Sequence, residues 1–268
     1  MIVQSSAQVH CRICGTPSEH YADAVLLKRY RVVYFMCSTC GFIQTQEPYW
    51  LEDAYASAIN LADVGMVQRN QRIAKISRAL ITLFFDGRGR FVDYGGGYGL
   101  FVRMMRDRGY DFYRTDKHCS NLFASEFEAD LPTGGGYELL TAFELFEHLV
   151  DPVSELRRML EFSNSIFFTT ELLPEIPPLP ETWTYFGLDH GQHVSFYTRR
   201  SLEVLAQQFG LRLYSDGKFR HLLTPKKLSP LCFRVASTYR VAALLEPLTG
   251  RSSLVAADYQ RITGRKLK

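Results

Sequence analysis

No apolar run in the 268 residues reaches the roughly 18 that a membrane-spanning helix needs, so no such helix is expected. The first residues, Met-Ile-Val-Gln-Ser-Ser, lack the basic and apolar regions of a secretory signal. A cytoplasmic protein is the expectation, peripheral to a membrane at most. Cysteine is sparse, six in all, and four of the six fall into two close pairs. In a reducing compartment such pairs read as metal ligands rather than disulfides. Basic charge is scarce at the start: residues 1–48 hold only Arg12, Lys28, Arg29 and Arg31, against Glu19, Asp23 and Glu47. That balance argues against a nucleic-acid grip there. Glycine is missing where a dinucleotide site needs it. The pattern G-x-G-x-x-G begun at Gly95 requires glycine at 100 and meets Leu100.

What is present centres on residues 91–99, Phe-Val-Asp-Tyr-Gly-Gly-Gly-Tyr-Gly. Phe91 and Val92 close an apolar strand. Asp93, Gly95, Gly97 and Gly99 then form D-x-G-x-G-x-G, and Leu100 to Arg108 continues at helical spacing. A strand running through a glycine-rich turn into a helix is how an open α/β sheet cradles a nucleotide-like ligand. The acid-led alternating glycines resemble motif I of class I S-adenosylmethionine (SAM) methyltransferases. That resemblance implies a Rossmann-like, seven-stranded sheet with SAM as cofactor and a transferase activity.

The two cysteine pairs are Cys11-x-x-Cys14 and Cys37-x-x-Cys40, separated by 22 residues. The interval slightly exceeds the usual one of about 15–20. Each pair is followed by glycine, Gly15 and Gly41, as suits the tight turn that aims backbone amides at thiolates. Four thiolates make a closed, structural Zn²⁺ site with no position left for substrate. Val25–Leu27 and Arg31–Phe35 read as short strands between the pairs, so residues 1–48 form a small zinc-ribbon-like module. Cys119 and Cys232 stand alone.

Beyond the module, residues 49–225 read as the α/β domain. Ile73, Ile76, Leu80, Leu83 and Phe84 mark a helix over 66–85. Strands are expected at 90–94, 110–115, 139–145 and 165–170. Asp116 lies 23 residues after Asp93, about where an acid at the end of the second strand takes ribose hydroxyls. Asp151-Pro152 reads as a helix start with Asp as N-cap and Pro at N1. Thr198 caps a helix over 200–209 that stops at Gly210. Asp216-Gly217 turns a terminal hairpin. The string Tyr137–Pro152 is similar to the Glu-His region of class I methyltransferases. Gly191-Gln-His-Val-Ser-Phe-Tyr-Thr198 resembles an element of a subfamily associated with glycan biosynthesis. The four-cysteine start resembles C-methyltransferases of nucleotide-linked sugars. The chain departs from the family pattern in a very short third-strand region, 125–136, and in Tyr137-Glu138 where an Asp is usual.

These likenesses place the cofactor against Arg69, Asp93, Gly95, Gly97, Gly99, Asp116, Phe143 and Glu144. The stretch 183–197 carries Trp183, Tyr185, Phe186, Asp189, His190, His193 and Tyr197, side chains suited to stacking on sugar faces and bonding their hydroxyls. His193 is expected as the base near neutral pH, His190 as its partner or a substrate contact, and Glu171 as a further candidate. Glu147-His148 reads as capping a helix or fixing its loop, although similar Glu/Glu/His sets bind a divalent cation in ubiquinone-biosynthesis O-methyltransferases. The expectation is therefore methyl transfer to a sugar nucleotide or glycan, at oxygen. The alternatives are C-methylation of a keto-sugar nucleotide, an RNA-binding methyltransferase and a non-catalytic SAM-binding scaffold. The last 70 residues carry a net charge of +10 against −7 for the rest. This basic, helical extension over 226–268, with Leu231, Val235, Leu244, Leu245 and Leu248 among Arg234 and Arg240, suits an anionic membrane surface or a packed helix.

Overall fold

The structure, a computed structural model, describes residues 8–56, 64–131, 136–246 and 251–267. Leu248, Lys268 and the first six residues discussed above lie outside them. Two sheets are packed by three apolar clusters, two on the larger sheet and one on the smaller. The first begins with β1 (Ser18–Leu26), β2 (Tyr30–Cys37) and β3 (Ile43–Thr45), all antiparallel. A short helix α1 (Leu51–Ala54) leads to α2 (Met66–Phe84), whose Ile73, Ile76, Leu80 and Ile81 are buried against the second sheet.

The second sheet holds β4 (Arg90–Tyr94), β5 (Asp111–Thr115), β6 (Leu139–Ala142) and β7 (Ile166–Thr169), with helices α3 (Leu100–Arg106) and α4 (Pro152–Phe162) between strands. Strand β8 (Ser195–Phe196) follows, then α5 (Arg199–Gln208), β9 (Arg212–Ser215) and β10 (Arg220–Thr224). The strand order is β5-β4-β6-β7-β10-β9, parallel except for β10, which runs antiparallel to both neighbours. Strands β4, β6 and β7 are buried almost throughout, as parallel strands covered on both faces are, whereas the edge strand β5 buries only Phe112 and Arg114.

The caps fall where the side chains can make them. Asp151 accepts from the Ser154 amide with Pro152 at N1, and Thr198 forms a reciprocal capping box with Ser201. Two expectations need correction. The sheet has six strands among the described residues, not seven. Where a third strand was expected, only one bridge, Arg114 to Glu128, pairs with the edge. The segment does alternate, with Phe127 buried and Ala129 packed on the core, but among the described residues it bonds β5 through Arg114 alone, whose amide donates to the Phe127 carbonyl and whose carbonyl takes the Ala129 amide. Strand β6 stops at Ala142 instead of Leu145, because Phe143 turns away and Glu144 adopts φ +50°.

Strand β8 does not join the large sheet. It extends the first one, pairing with β3 at Ile43–Phe196 and Gln44–Ser195. The two cysteine turns consequently pack into the same apolar core as α5 and the central strands. Gln208 Nε2 donates to the Ile13 carbonyl at 2.6 Å, and Thr198 Oγ1 to that of Cys40 at 2.6 Å.

The basic extension forms α6 (Pro230–Ala236), α7 (Tyr239–Leu245) and α8 (Val255–Thr263). Phe233, Ala236 and Ala242 are buried in the core cluster that includes α2, while Leu231 and Leu244 stay exposed. No helix among the described residues is long and apolar enough to cross a membrane. Helix α8 is held by charge. Asp258 is buried and takes both Arg106 Nη2, at 2.7 Å, and Arg103 Nη2, at 2.8 Å. Arg106 is itself buried, reaches Asp111 at 2.6 Å and lies over the Phe127 ring.

Burial alone would raise the pKa of Asp258, but the paired arginines hold it below the ordinary carboxylate value. A depressed carboxylate stabilises the fold above its unfolded pKa and loses that contribution as pH falls. Asp258→Asn should therefore cost about 3 kcal/mol at pH 7, since it leaves Arg106 under-compensated in the interior. Denaturant midpoints of the two proteins should converge as pH drops below about 4. A constant gap from pH 7 to pH 3 would contradict this account.

Candidate active site

The ends of the parallel strands open onto a cleft of about 1250 Å³. Its lining joins two walls that are distant in sequence. One is the turn after β4 with the end of β5. The other is the loop after β6 with the histidines of residues 190–193.

The first wall is built by backbone geometry. Gly97 has φ +54° and Gly99 φ +83°, which disfavour any side chain. A Cβ at Gly99 would run into Asn121, whereas one at Gly97 would meet nothing within 4 Å. Gly97 thus bares its backbone to open space in the cleft, a cradle for a ligand. Asp116 holds this cradle: Oδ2 accepts from the Gly97 amide at 2.9 Å, and Oδ1 from those of His118 and Cys119, each at 2.8 Å. Asp93 is buried at the start of the turn and accepts from Thr141 Oγ1 at 2.6 Å. Burial pushes its carboxyl up to about 7.

Sequence reasoning missed Arg114. It sits in the edge strand β5, is buried, and donates to the carbonyls of Gly97 and Cys119, bracketing the turn from below. The run Asp111–Thr115 is mixed in polarity, and nothing in it marks the arginine out. Phe143 packs edge-on against Phe101 and Phe167 at 4.9 and 5.4 Å and lines the cleft. Arg69, from the first turn of α2, and Glu144 line it too. The Glu144 carboxylate accepts from Thr169 Oγ1 at 2.7 Å. Gly95 is in the lining and Gly99 caps α3 behind it.

The second wall is assembled by the N-terminal segment. Trp50 Nε1 donates to Gly191 O at 2.7 Å, and Gln192 Nε2 to Ala54 O at 2.8 Å. The Val194 amide bonds Glu147 O at 2.8 Å while its carbonyl takes the Thr45 amide at 3.1 Å. His190, His193 and His148 are thereby brought together: the His193 ring centroid lies 4.7 Å from that of His190 and 4.9 Å from that of His148. His193 Nδ1 donates to Tyr185 O at 2.5 Å, so Nε2 keeps the lone pair. The Gln192 amide donates to His190 Nδ1 at 3.1 Å, so in the neutral ring Nε2 carries the proton. Burial lowers all three: His190, His148 (with His190, to about 4) and His193, where His148 and His190 add to the effect.

Glu147 lies beneath them, 1% exposed, with no hydrogen-bond partner at either carboxylate oxygen. Burial, then the neighbouring Glu144, pushes its carboxyl up to about 8. It caps no helix, and its side chain fixes no loop by hydrogen bonds. Glu171 is not among the residues lining the cleft; its amide bonds the Tyr185 hydroxyl and its carboxylate sits 3.9 Å from Lys218 Nζ. Phe186 and Tyr197 are core residues, Asp189 is exposed, and Trp183 and Tyr185 pack together behind the loop.

Away from the cleft, the four cysteines converge. Their Sγ atoms all lie within 4.8 Å of one another, with Cys11–Cys40 at 3.6 Å and Cys14–Cys37 at 3.4 Å. Four ligands at about 2.3 Å from one tetrahedral zinc would be roughly 3.8 Å apart. The amides of Ile13 and Cys14 point at Cys11 Sγ and that of Cys40 at Cys37 Sγ, as thiolates require. The donor set fits a structural metal.

Among solved structures, TnmH aligns at 19% identity over 67% of this chain and 62% of its own length, with a TM-score of 0.47. CalO1, a methyltransferase in calicheamicin biosynthesis in an SAH-bound form, aligns at 17% over 67% and 60%, with a TM-score of 0.42. Human N-acetylserotonin methyltransferase in complex with SAM aligns at 15% over 66% of each chain, with a TM-score of 0.42. The chain thus spans less than two thirds of the first two structures. No curated protein sequence matches it. The family profile described as methyltransferase domain matches residues 68–216, more than half of the chain and both walls of the cleft. The chain belongs to the methyltransferase-domain family.

Proposed function

We propose that this protein is a SAM-dependent methyltransferase whose acceptor is a sugar or glycan hydroxyl, and that its cysteine cluster holds one structural Zn²⁺. The observation that carries the reading is a single cleft that faces a bare glycine cradle with a wall of histidines. SAM, when bound, supplies a methyl group on a sulfonium sulfur. On this reading the Gly95–Gly97 turn admits the donor's amino-acid end close to the backbone, with Arg69 beside its carboxylate. Asp116 takes the ribose hydroxyls, and Phe143 offers a ring to the adenine.

On the opposite wall His190 presents Nε2–H to an acceptor oxygen. His193, with its lone pair at Nε2, activates that oxygen for in-line attack. The walls fix both partners in one orientation, which removes much of the entropic barrier. Sugar specificity is supported by the likeness at 191–198 and by polar lining from Glu52, Asp151, Ser154 and Gln192. C-methylation beside a keto group remains the alternative use of the same wall. The cysteine cluster lies outside the cleft lining, so its metal holds the β2–β3 turn and, through Thr198 and Gln208, the start and end of α5.

Three outcomes follow. Calorimetry should detect SAM or S-adenosylhomocysteine binding, and Asp116→Ala should weaken it by roughly 1–3 kcal/mol; a wild-type protein that binds neither sinks the methyltransferase reading. With the acceptor in hand, His193→Ala should lower turnover by about 10²–10⁴-fold at nearly unchanged SAM affinity. A variant that turns over like the wild type moves the activating group elsewhere. Metal analysis of protein purified without chelator should find zinc held by the cysteines, one equivalent lost on Cys37→Ser. Because the cluster shares its core with α5, that variant should melt earlier as a whole, not only at its N-terminus.

A further inference from the structure

One feature of the cleft is left unexplained by methyl transfer alone. Glu147 is a carboxyl buried in the interior with both oxygens unpartnered. Such a group costs free energy unless something satisfies it. The hydroxyls of Thr170 and Tyr185 lie close but outside hydrogen-bonding geometry. What does surround it is a donor set. One carboxylate oxygen of Glu147 and one ring nitrogen each of His148 and His193 lie within 4.8 Å of one another. Glu144 is not part of the set, because its carboxylate is turned to Thr169.

Both imidazoles are held from behind. His193 Nδ1 donates to the Tyr185 carbonyl, and His148 Nδ1 is 3.0 Å from the Tyr55 hydroxyl. Orienting the second ring nitrogen in this way is characteristic of histidines that ligate metals. The ligand atoms of a single first-row cation sit roughly 3–4 Å apart, which small side-chain rotations would reach. All three residues line the cleft, so an ion there would keep open positions towards the acceptor.

We infer that Glu147, His148 and His193 form a second metal site, a His₂-carboxylate centre for a divalent first-row cation on the acceptor wall. Two imidazoles and one carboxylate select manganese, iron or zinc over calcium or magnesium. The inference rests on the acceptor wall of the proposed function and specifies how His193 acts there. The cation binds the acceptor oxygen and lowers the pKa of its O–H. The O–H proton leaves to solvent, the oxygen lone pair forms the new bond to the methyl carbon, and the C–S bond breaks with its electrons going to sulfur. Acceptors with two neighbouring oxygens, as in a sugar diol, would chelate best.

The test needs no acceptor. Protein with its cysteine cluster zinc-filled and other metal removed is titrated with Mn²⁺ and followed by electron paramagnetic resonance, and in parallel with Zn²⁺. One further ion per chain is expected. Glu147→Gln and His193→Ala should each weaken it by more than about 10-fold, the least that disturbing such a site costs. Circular dichroism checks that both variants fold, and SAM affinity is measured on the same samples. Wild-type protein that binds SAM but neither Mn²⁺ nor a second Zn²⁺ overturns the second metal site and leaves the methyltransferase reading standing. Binding unchanged in both folded variants overturns it as well. Failure to bind SAM with the second ion in place would instead overturn the methyltransferase reading alone.

Discussion

The candidate site depends on how the short segment Gly191–Phe196 is bonded on two sides. On one side it meets the N-terminal segment through Trp50, Ala54, Thr45 and the β3–β8 ladder. On the other, the Val194 amide takes the carbonyl of Glu147 at the mouth of the large sheet. Backbone groups buried in this way must be paired, so the segment has little freedom to shift. His193, which it carries, and His190 just before it are held close to His148 by these bonds. The cysteine cluster stabilises the far end of the same construction, through the turns that pack on α5.

The glycine-turn wall obeys a different constraint. A glycine turn that exposes its backbone to a ligand has few side chains of its own to hold it. Arg114 and Asp116 supply that support from the neighbouring strand, one binding a carbonyl of the turn and the other an amide. Burying a guanidinium inside a parallel sheet is costly unless its donors are met. Here two carbonyls accept from Nη1 and Nη2, and the Glu128 carboxylate lies 3.3 Å from Nε as an ion pair outside hydrogen-bonding geometry. The single bridge at Glu128 takes the place of a full third strand, and the charged contact ties that edge down.

Much of the fold was legible because its signals are local. The glycine turn after an apolar strand, the Asp151-Pro152 and Thr198 caps, the Asp216-Gly217 hairpin and the two C-x-x-C turns each depend on a few consecutive residues. The aromatic stretch was not legible in the same way. Trp183, Tyr185, Phe186 and Tyr197 match a sugar-binding composition, yet Phe186 and Tyr197 are wholly buried in packing against Tyr34, Phe42 and Phe146. An aromatic side chain suits a core as well as a ligand, and only its neighbours decide which.

By itself the sequence determined the glycine turn, the two C-x-x-C turns and the alternation of strands and helices, because near-neighbour stereochemistry and spacing dictate them. Only the tertiary structure decided where Ser195–Phe196 would pair, that Arg114 would brace the turn, that Glu171 would stay outside the cleft lining, and that Glu147 would be buried without a partner beside His148 and His193. These contacts reach from Arg114 to Gly97, 17 positions away, and from Ile43 to Phe196 at the other end of the chain. They are set by which backbone groups and side chains must be satisfied once the two sheets pack together, and no local pattern records that requirement.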